Sequence, residues 1–484
     1  AAGTATCEGQ PATMTGTTGD ETLTGTTGDD VIVGLDGNDT ISGLDGNDVI
    51  CGDAGTDTIG GGEGNDLLND AGDTAEDSAD DTVFAGDGDD VVNASGGSNE
   101  IWGEDGNDTV HAGPDGGHML GNEGNDILEG GAGTDVVDGG TGNDQLTGAG
   151  GEDILDGRED NDRIHGDAGD DIVRGGPGND LLFGDGVGLP GDDRISGGPG
   201  LDELEGMGGV DRLRGGDDND KLIGGTGNDA HFGGSGNDEF DENEQGGAFA
   251  NSFFGGSGDD VIFSGAGNDL VVGGEDNDVI NEFEGDDRVF GGQGSDQMID
   301  VFGNDVFSGG SGDDIASDFH GSDRMFGGAG SDFLDAAKGR DHVVGGDGND
   351  RVNGGQGADG VFGSDGDDIV EGAPRDLQSG VDRKDRMKGG SGDDKLYGRA
   401  GNDILLGKNG NDRLVGNTGN DILLGKNGND RLFGNTGNDF LHGGDGKWFD
   451  RLFGGADRDD CRGGEVYRGC EKEEATVVPD AAKS

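Results

Sequence analysis

Apolar side chains recur in this chain once every nine residues, each flanked by two variable positions and followed by six polar, glycine-rich ones. Read in nines from Gly16, the chain runs GTTGDETLT, GTTGDDVIV, GLDGNDTIS, GLDGNDVIC, GDAGTDTIG, GGEGNDLLN, and the pattern continues to Arg462. Insertions at 70–75, 184–187, 242–245, 372–379 and 447–448 interrupt the frame, and 47 nonapeptides fill the rest of residues 16–462. The eighth position is apolar in all but one, His231. The sixth is Asp in 43 of the 47, the exceptions being Glu21, Asn99, Gly117 and Asn251. The consensus is G-G-x-G-x-D-x-U-x, with U apolar.

This pattern predicts one turn and one strand per nonapeptide. The glycines allow positive φ in the first six residues. The x-U-x tail is a three-residue strand in which only the middle side chain points inward. One such strand buries almost nothing, so two of them, one per sheet, must make an eighteen-residue coil that packs on the coils above and below. The near-duplicates GKNGNDRLVGNTGNDILL at 407–424 and GKNGNDRLFGNTGNDFLH at 425–442 show both lengths. Leu414 and Leu432 then stack in one sheet, and Leu405, Leu423 and Leu441 in the other. The expected fold is all-β, a parallel β-roll (β-solenoid) of about 23 coils, on the order of 110 Å long at the usual strand spacing. Residues 1–15 are expected to cap it, 16–462 to form one continuous roll, and 463–484 to form a second cap and tail.

Composition sharpens the problem. The 484 residues include 115 Gly, apolar types make up only 29%, and 106 acidic side chains against 30 basic ones give a formal charge of -76. Such a chain is too polar to order itself by apolar burial alone. The charge excludes nucleic acid as a partner, and no run approaches the roughly 18 to 20 apolar residues of a membrane-spanning helix.

The sixth-position aspartates suggest what else holds the chain. On one edge of the roll Asp412 and Asp430 fall on neighbouring coils, and on the other Asp403, Asp421 and Asp439. Carboxylates about 5 Å apart repel strongly unless a cation lies between them. Hard oxygen ligands in flexible geometry suit Ca²⁺ better than Mg²⁺. A solvated acidic face without an ion is the alternative, and it leaves the fixed Asp unexplained.

At these residues the chain resembles the RTX calcium-binding repeat family over residues 16–462. The resemblance implies a parallel β-roll with Ca²⁺ held between adjacent turns by the sixth-position Asp and backbone carbonyls. In the first half it implies ligands at Asp30, Asp39, Asp48, Asp57, Asp66, Asp90, Asp108, Asp126, Asp135, Asp144, Asp153, Asp162, Asp171, Asp180, Asp193, Asp202, Asp211, Asp220, Asp229 and Asp238. In the second half it implies Asp260, Asp269, Asp278, Asp287, Asp296, Asp305, Asp314, Asp323, Asp332, Asp341, Asp350, Asp359, Asp368, Asp394, Asp403, Asp412, Asp421, Asp430, Asp439 and Asp459. Gly117 and Asn251 lack the carboxylate, and GREDND at 157–162 departs from the pattern at its fourth residue. Roughly 35 to 43 Ca²⁺, about one per intact turn, would nearly neutralise the chain and make ion binding part of folding.

The remaining features are read as follows. Cys7 with Cys51 and Cys461 with Cys470 are the natural disulfide pairs, clamping the ends in an oxidising compartment, with small buried cysteines as the alternative. The start AAGTATCEGQ, without Met, suits a secreted, extracellular protein after loss of its signal peptide, and the ends are similar to those of exported actinobacterial calcium-binding proteins. Four insertions precede odd-numbered repeats and are expected on one edge. Phe232, Phe254, Val272, Phe290, Ser308, Phe326, Val344 and Phe362 form a stripe at position nine, expected to be partly covered.

Catalytic signals are absent: there is no H-E-x-x-H or G-x-S-x-G, and His111, His118, His165, His231, His320, His342 and His442 are scattered. His231 reads as a core defect, and GVGLPG at 186–191 as a coincidence of glycine content. The leading functional expectation is a non-enzymatic structural, matrix or adhesin-like protein. The alternative is partner recognition through the insertions or the Phe stripe. Ice binding by the Thr residues of TGTTGDETLTGTTGDD, which fade after Thr40, is a minor third, and self-association or an extracellular surface partner is left open.

Overall fold

The computed structural model describes residues 5–70, 79–242, 247–282, 284–372, 384–444, 449–464 and 466–470. Its regular elements are all β-strands, and the fold is a parallel β-solenoid of about 23 coils. No helix among the described residues is long and apolar enough to cross a membrane. The chain divides into two compact units, Ala1–Gly255 and Gly256–Ser484.

Within each unit successive strands alternate between two parallel sheets. In the first, Thr82–Asp87 pairs with Glu100–Asp105 and that with His118–Glu123, while Val91–Asn93, Thr109–His111 and Ile127–Glu129 form the other ladder. In the second, Leu405, Leu423 and Leu441 are in register in one sheet, and Leu414 and Leu432 in the other. The coil-to-coil advance is 18 residues and lengthens to 24, 22, 22, 26 and 20 at the five interruptions of the repeat. The three interruptions in Ala1–Gly255 follow Leu67–Asn69, Leu181–Asp185 and Glu239–Asp241, all strands of one sheet. Residues 71–75, 243–245, 373–379 and 447–448 of the insertions, and the tail beyond 470, lie outside the described residues.

The core is a single file of side chains. Every eighth-position residue from Ile32 to Leu452 is at most 2% exposed, because the middle residue of a three-residue strand is the only one the pleat turns inward. Each coil touches only its neighbours, so damage stays local. Leu423→Ala, which removes a fully buried side chain between Leu405 and Leu441, is expected to destabilise its region by about 2–5 kcal/mol. Denaturant titration at saturating Ca²⁺ reads this.

The strands are longer than the side-chain pattern predicts. Val31–Asp36 and Thr40–Asp45 each run six residues, through the third position of the next nonapeptide. Pairing skips the first position and resumes at the second: Val33 faces Cys51, then Leu35 faces Asp53. The second position is left-handed at many turns even where it is not glycine, with φ of 81° at Leu35 and 90° at Lys408, and fourth-position Gly410 has φ of 135°. These conformations cost an L-residue about 1–2 kcal/mol and explain the two glycines of the consensus.

Both expected disulfides are formed, Cys7–Cys51 and Cys461–Cys470. The first fastens an antiparallel hairpin, Thr6–Cys7 with Gln10–Pro11, to the strand Val49–Ala54, and its sulfurs pack with Val33. The threonine array runs further than expected: Thr22, Thr40, Thr58 and Thr82 are in register before Glu100 ends the row.

Candidate metal centres

At both edges the sixth-position aspartates turn inward from the strand ends. All the sixth-position aspartates predicted as ligands are buried, Asp30 the most open at 8%. Their two oxygens have different fates. Asp412 N–H donates to Asp430 Oδ1 at 3.0 Å, and Asp394 N–H to Asp412 Oδ1 at 3.1 Å. On the other edge Asp421 N–H donates to Asp439 Oδ1 at 2.8 Å, and in the first unit Asp144 N–H donates to Asp162 Oδ1 at 2.9 Å. The Oδ2 atoms of Asp412, Asp430, Asp439 and Asp162 are buried and accept no hydrogen bond.

Those unpartnered oxygens face the first glycine of their own turn. A Cβ on Gly407 would lie 2.2 Å from Asp412 Oδ2 and 2.9 Å from the carbonyl oxygen of Gly425 in the next coil. At Gly425 the corresponding distances are 2.2 Å to Asp430 Oδ2 and 2.6 Å to the Gly443 carbonyl. The first glycine therefore keeps a cradle of oxygens clear. An orphaned buried carboxylate oxygen beside carbonyls is unfavourable without a cation, and an all-oxygen donor set suits Ca²⁺. The residues present fit the ion.

Alanine stands at the first position in Ala85, Ala94, Ala112 and Ala336, and two of those turns, at Asn99 and Gly117, have also lost the aspartate. A larger side chain is expected to close the cradle: Gly407→Val should lose about one bound Ca²⁺ and about 1–3 kcal/mol locally. Metal counting against the parent chain checks it.

Burial without a counter-ion, aided by neighbouring carboxylates, pushes these acids far above the ordinary range. Asp162, Asp211, Asp220, Asp278 and Asp394 rise to about 8, and Asp108, Asp144, Asp180 and Asp430 to about 7. Asp30 is the opposite case. Thr26 donates its N–H and hydroxyl to Asp30 Oδ2, and those bonds lower its pKa, so both its oxygens are engaged by protein donors, Thr13 Oγ1 holding Oδ1. Asp135, one coil after Gly117, turns Oδ2 back onto Gly131 N–H.

Three sixth-position aspartates that the count includes but the expected ligand set leaves out take the same place in the ladder. Asp81, Asp385 and Asp450, each the first sixth-position residue after an insertion, are buried and accept the same ladder bond from Asp57, Asp359 and Asp430 N–H. Resuming the frame after each insertion is the signal that finds them. Fifth-position side chains form an exposed ladder, as where Asn125 N–H donates to Asn107 Oδ1 at 2.9 Å. At Asn99 the amide Nδ2 donates to Asp70 Oδ2 and to the Gly96 carbonyl, so a protein donor lies among those oxygens.

His231 is more than a core defect. It stacks on Phe253 at 4.6 Å, and its Nε2 lies 2.9 Å from Glu242 Oε1 with both side chains buried. A Cβ on Gly224 would meet that nitrogen at 2.7 Å, which places the ring tip beside Asp229 in the turn. The Phe stripe is half-covered: Arg212 lies over Phe232, Lys388 over Phe362, and only Phe290 reaches 38% exposure.

The model of the RTX calcium-binding nonapeptide repeat family matches fifteen windows, several of them overlapping, from 15–50 and 33–68 through 147–182 and 205–240 to 379–414 and 415–447. The chain belongs to this family. No curated protein matches it. As an RTX protein it is a calcium-binding β-roll, and repeats of this kind are typically structural rather than catalytic and typical of secreted proteins. The RTX windows pass over Gly117 and Asn251 without a break, so the fold continues through turns that lack the carboxylate.

Proposed function

We propose that this RTX β-roll is a secreted, non-catalytic structural or adhesin-like element, ordered by Ca²⁺ bound at the Oδ2 atoms of the sixth-position aspartates and the facing carbonyls. The carrying observation is the repeated cradle of unpartnered carboxylate oxygen, carbonyl oxygen and missing Cβ, as at Gly407 and Gly425. Two disulfides support an oxidising, extracellular setting. Calcium would then act outside the cell as the signal to stiffen. Partner recognition along the Phe stripe draws less support, since neighbouring cations and rings half-cover it.

An extracellular role sets the affinity. Circular dichroism against free Ca²⁺ should give a midpoint near 0.1–1 mM, the range of extracellular calcium modules. A midpoint well below micromolar would mean the roll is already loaded at cytosolic Ca²⁺, and the extracellular reading would fail.

A further inference from the structure

A second set of buried acids stands beside the sixth-position ladder in the unit Gly256–Ser484. The turns after Val261–Phe263, Val279–Asn281, Gln297–Ile299, Ile315–Ser317 and Phe333–Asp335 all leave one sheet. Their first residues are Ser264, Glu282, Asp300, Asp318 and Ala336, none of them glycine, whereas the facing edge keeps Gly273, Gly291, Gly309 and Gly327. Glu282, Asp300 and Asp318 are at most 2% exposed. The family match is also at its shortest here, 283–299.

These acids project into the cradle that glycine leaves clear elsewhere. Glu282, Asp287 and Asp300 bring one oxygen each to within 4.8 Å of one another, and so do Asp305, Asp318 and Asp323. Asp300 and Asp318 each hold their own turn with Oδ1, which accepts Phe302 N–H at 3.0 Å and His320 N–H at 2.9 Å. No N–H donor of the described residues reaches their Oδ2 atoms, either oxygen of Glu282, or Oδ2 of Asp305 and Asp323; the carboxyls meet one another instead, Glu282 with Asp287, Asp300 with Asp305 and Asp318 with Asp323. An ordinary turn offers one buried carboxylate per cradle; these offer two. Packing a second buried anion against the first is unfavourable unless more positive charge answers it.

We propose that the first- and sixth-position acids at 282, 287, 300, 305, 318 and 323 form a distinct cation-binding stretch that favours hard trivalent ions of the lanthanide class over Ca²⁺, relative to the ordinary turns. The inference rests on the reading that ordinary turns hold Ca²⁺. The attraction grows with the product of the charges, while the all-oxygen donor set is common to both kinds of turn.

The test uses the full chain loaded with Ca²⁺ and titrated with Tb³⁺, both metals being counted by mass spectrometry after gel filtration. The parent chain is expected to exchange about three ions at Tb³⁺ concentrations on the order of tenfold below those that displace the rest. The triple variant Glu282→Gly, Asp300→Gly, Asp318→Gly should lose that early step and keep its β-sheet spectrum. The shape-preserving set Glu282→Gln, Asp300→Asn, Asp318→Asn should lose it too. An early step unchanged in both variants overturns the proposal. A glycine variant that gains about three Ca²⁺ also overturns it, because the acids would then be protonated plugs filling their cradles. A low Ca²⁺ count before Tb³⁺ is added defeats the calcium reading of the ordinary turns, while the Tb³⁺ step still decides this one.

Discussion

Chelating Ca²⁺ at pH 7.5 will unfold this protein. The core supplies one buried apolar side chain per nine residues, too little to offset the ordering of a chain with 115 glycines and a formal charge of -76. The missing stabilisation sits at the turns, where the Oδ2 atoms of Asp412, Asp430 and Asp439 face carbonyls with no donor to satisfy them. Without a cation each such oxygen is a buried charge beside other buried charges. Metal binding is then folding free energy. With a chelator the β-sheet spectrum should be lost and the radius of gyration should grow towards about 80 Å, the scaling value for an unfolded chain of this length. Restoring Ca²⁺ should reverse both changes, and NaCl at matched ionic strength should not. Sheet content that survives the chelator would mean the core suffices alone.

Acid should partly replace calcium. Burial raises Asp162, Asp211 and Asp278 to about 8, and Asp430 and Asp421 to about 7, from an ordinary value of 3.8. A carboxyl whose folded pKa lies above its unfolded one binds protons more tightly in the fold. The metal-free roll is therefore most stable below about pH 4 and loses that stability as pH rises through about 6 to 8. Sheet content measured in chelator should grow as pH falls from 8 towards 4. Over the same range protons compete with Ca²⁺, so the Ca²⁺ midpoint should move to higher concentration as pH drops. A metal-free chain equally unfolded at pH 4 and pH 8 would show that charge repulsion is not what opens it.

Much of this was legible in the sequence because the fold has one period and each position one task. The apolar eighth residue must point inward, so the repeat alone puts Leu405, Leu423 and Leu441 in one sheet, and the register agrees. What stayed hidden was carried by the backbone or by the exceptions. The six-residue strands depend on main-chain pairing at Leu35 and Asp53, which no side-chain pattern reports. Glu282, Asp300 and Asp318 escaped a count that looked for acids at position six. His231 looked like a defect because Glu242, its buried partner, lies eleven residues on at the edge of an insertion.

The most direct measurement is the number of Ca²⁺ bound per chain, by equilibrium dialysis at saturating Ca²⁺ with metal analysis of the protein. One ion per intact turn predicts about 35 to 43. A count below about ten, with the fold intact, would mean that the aspartate ladders are held by something other than calcium.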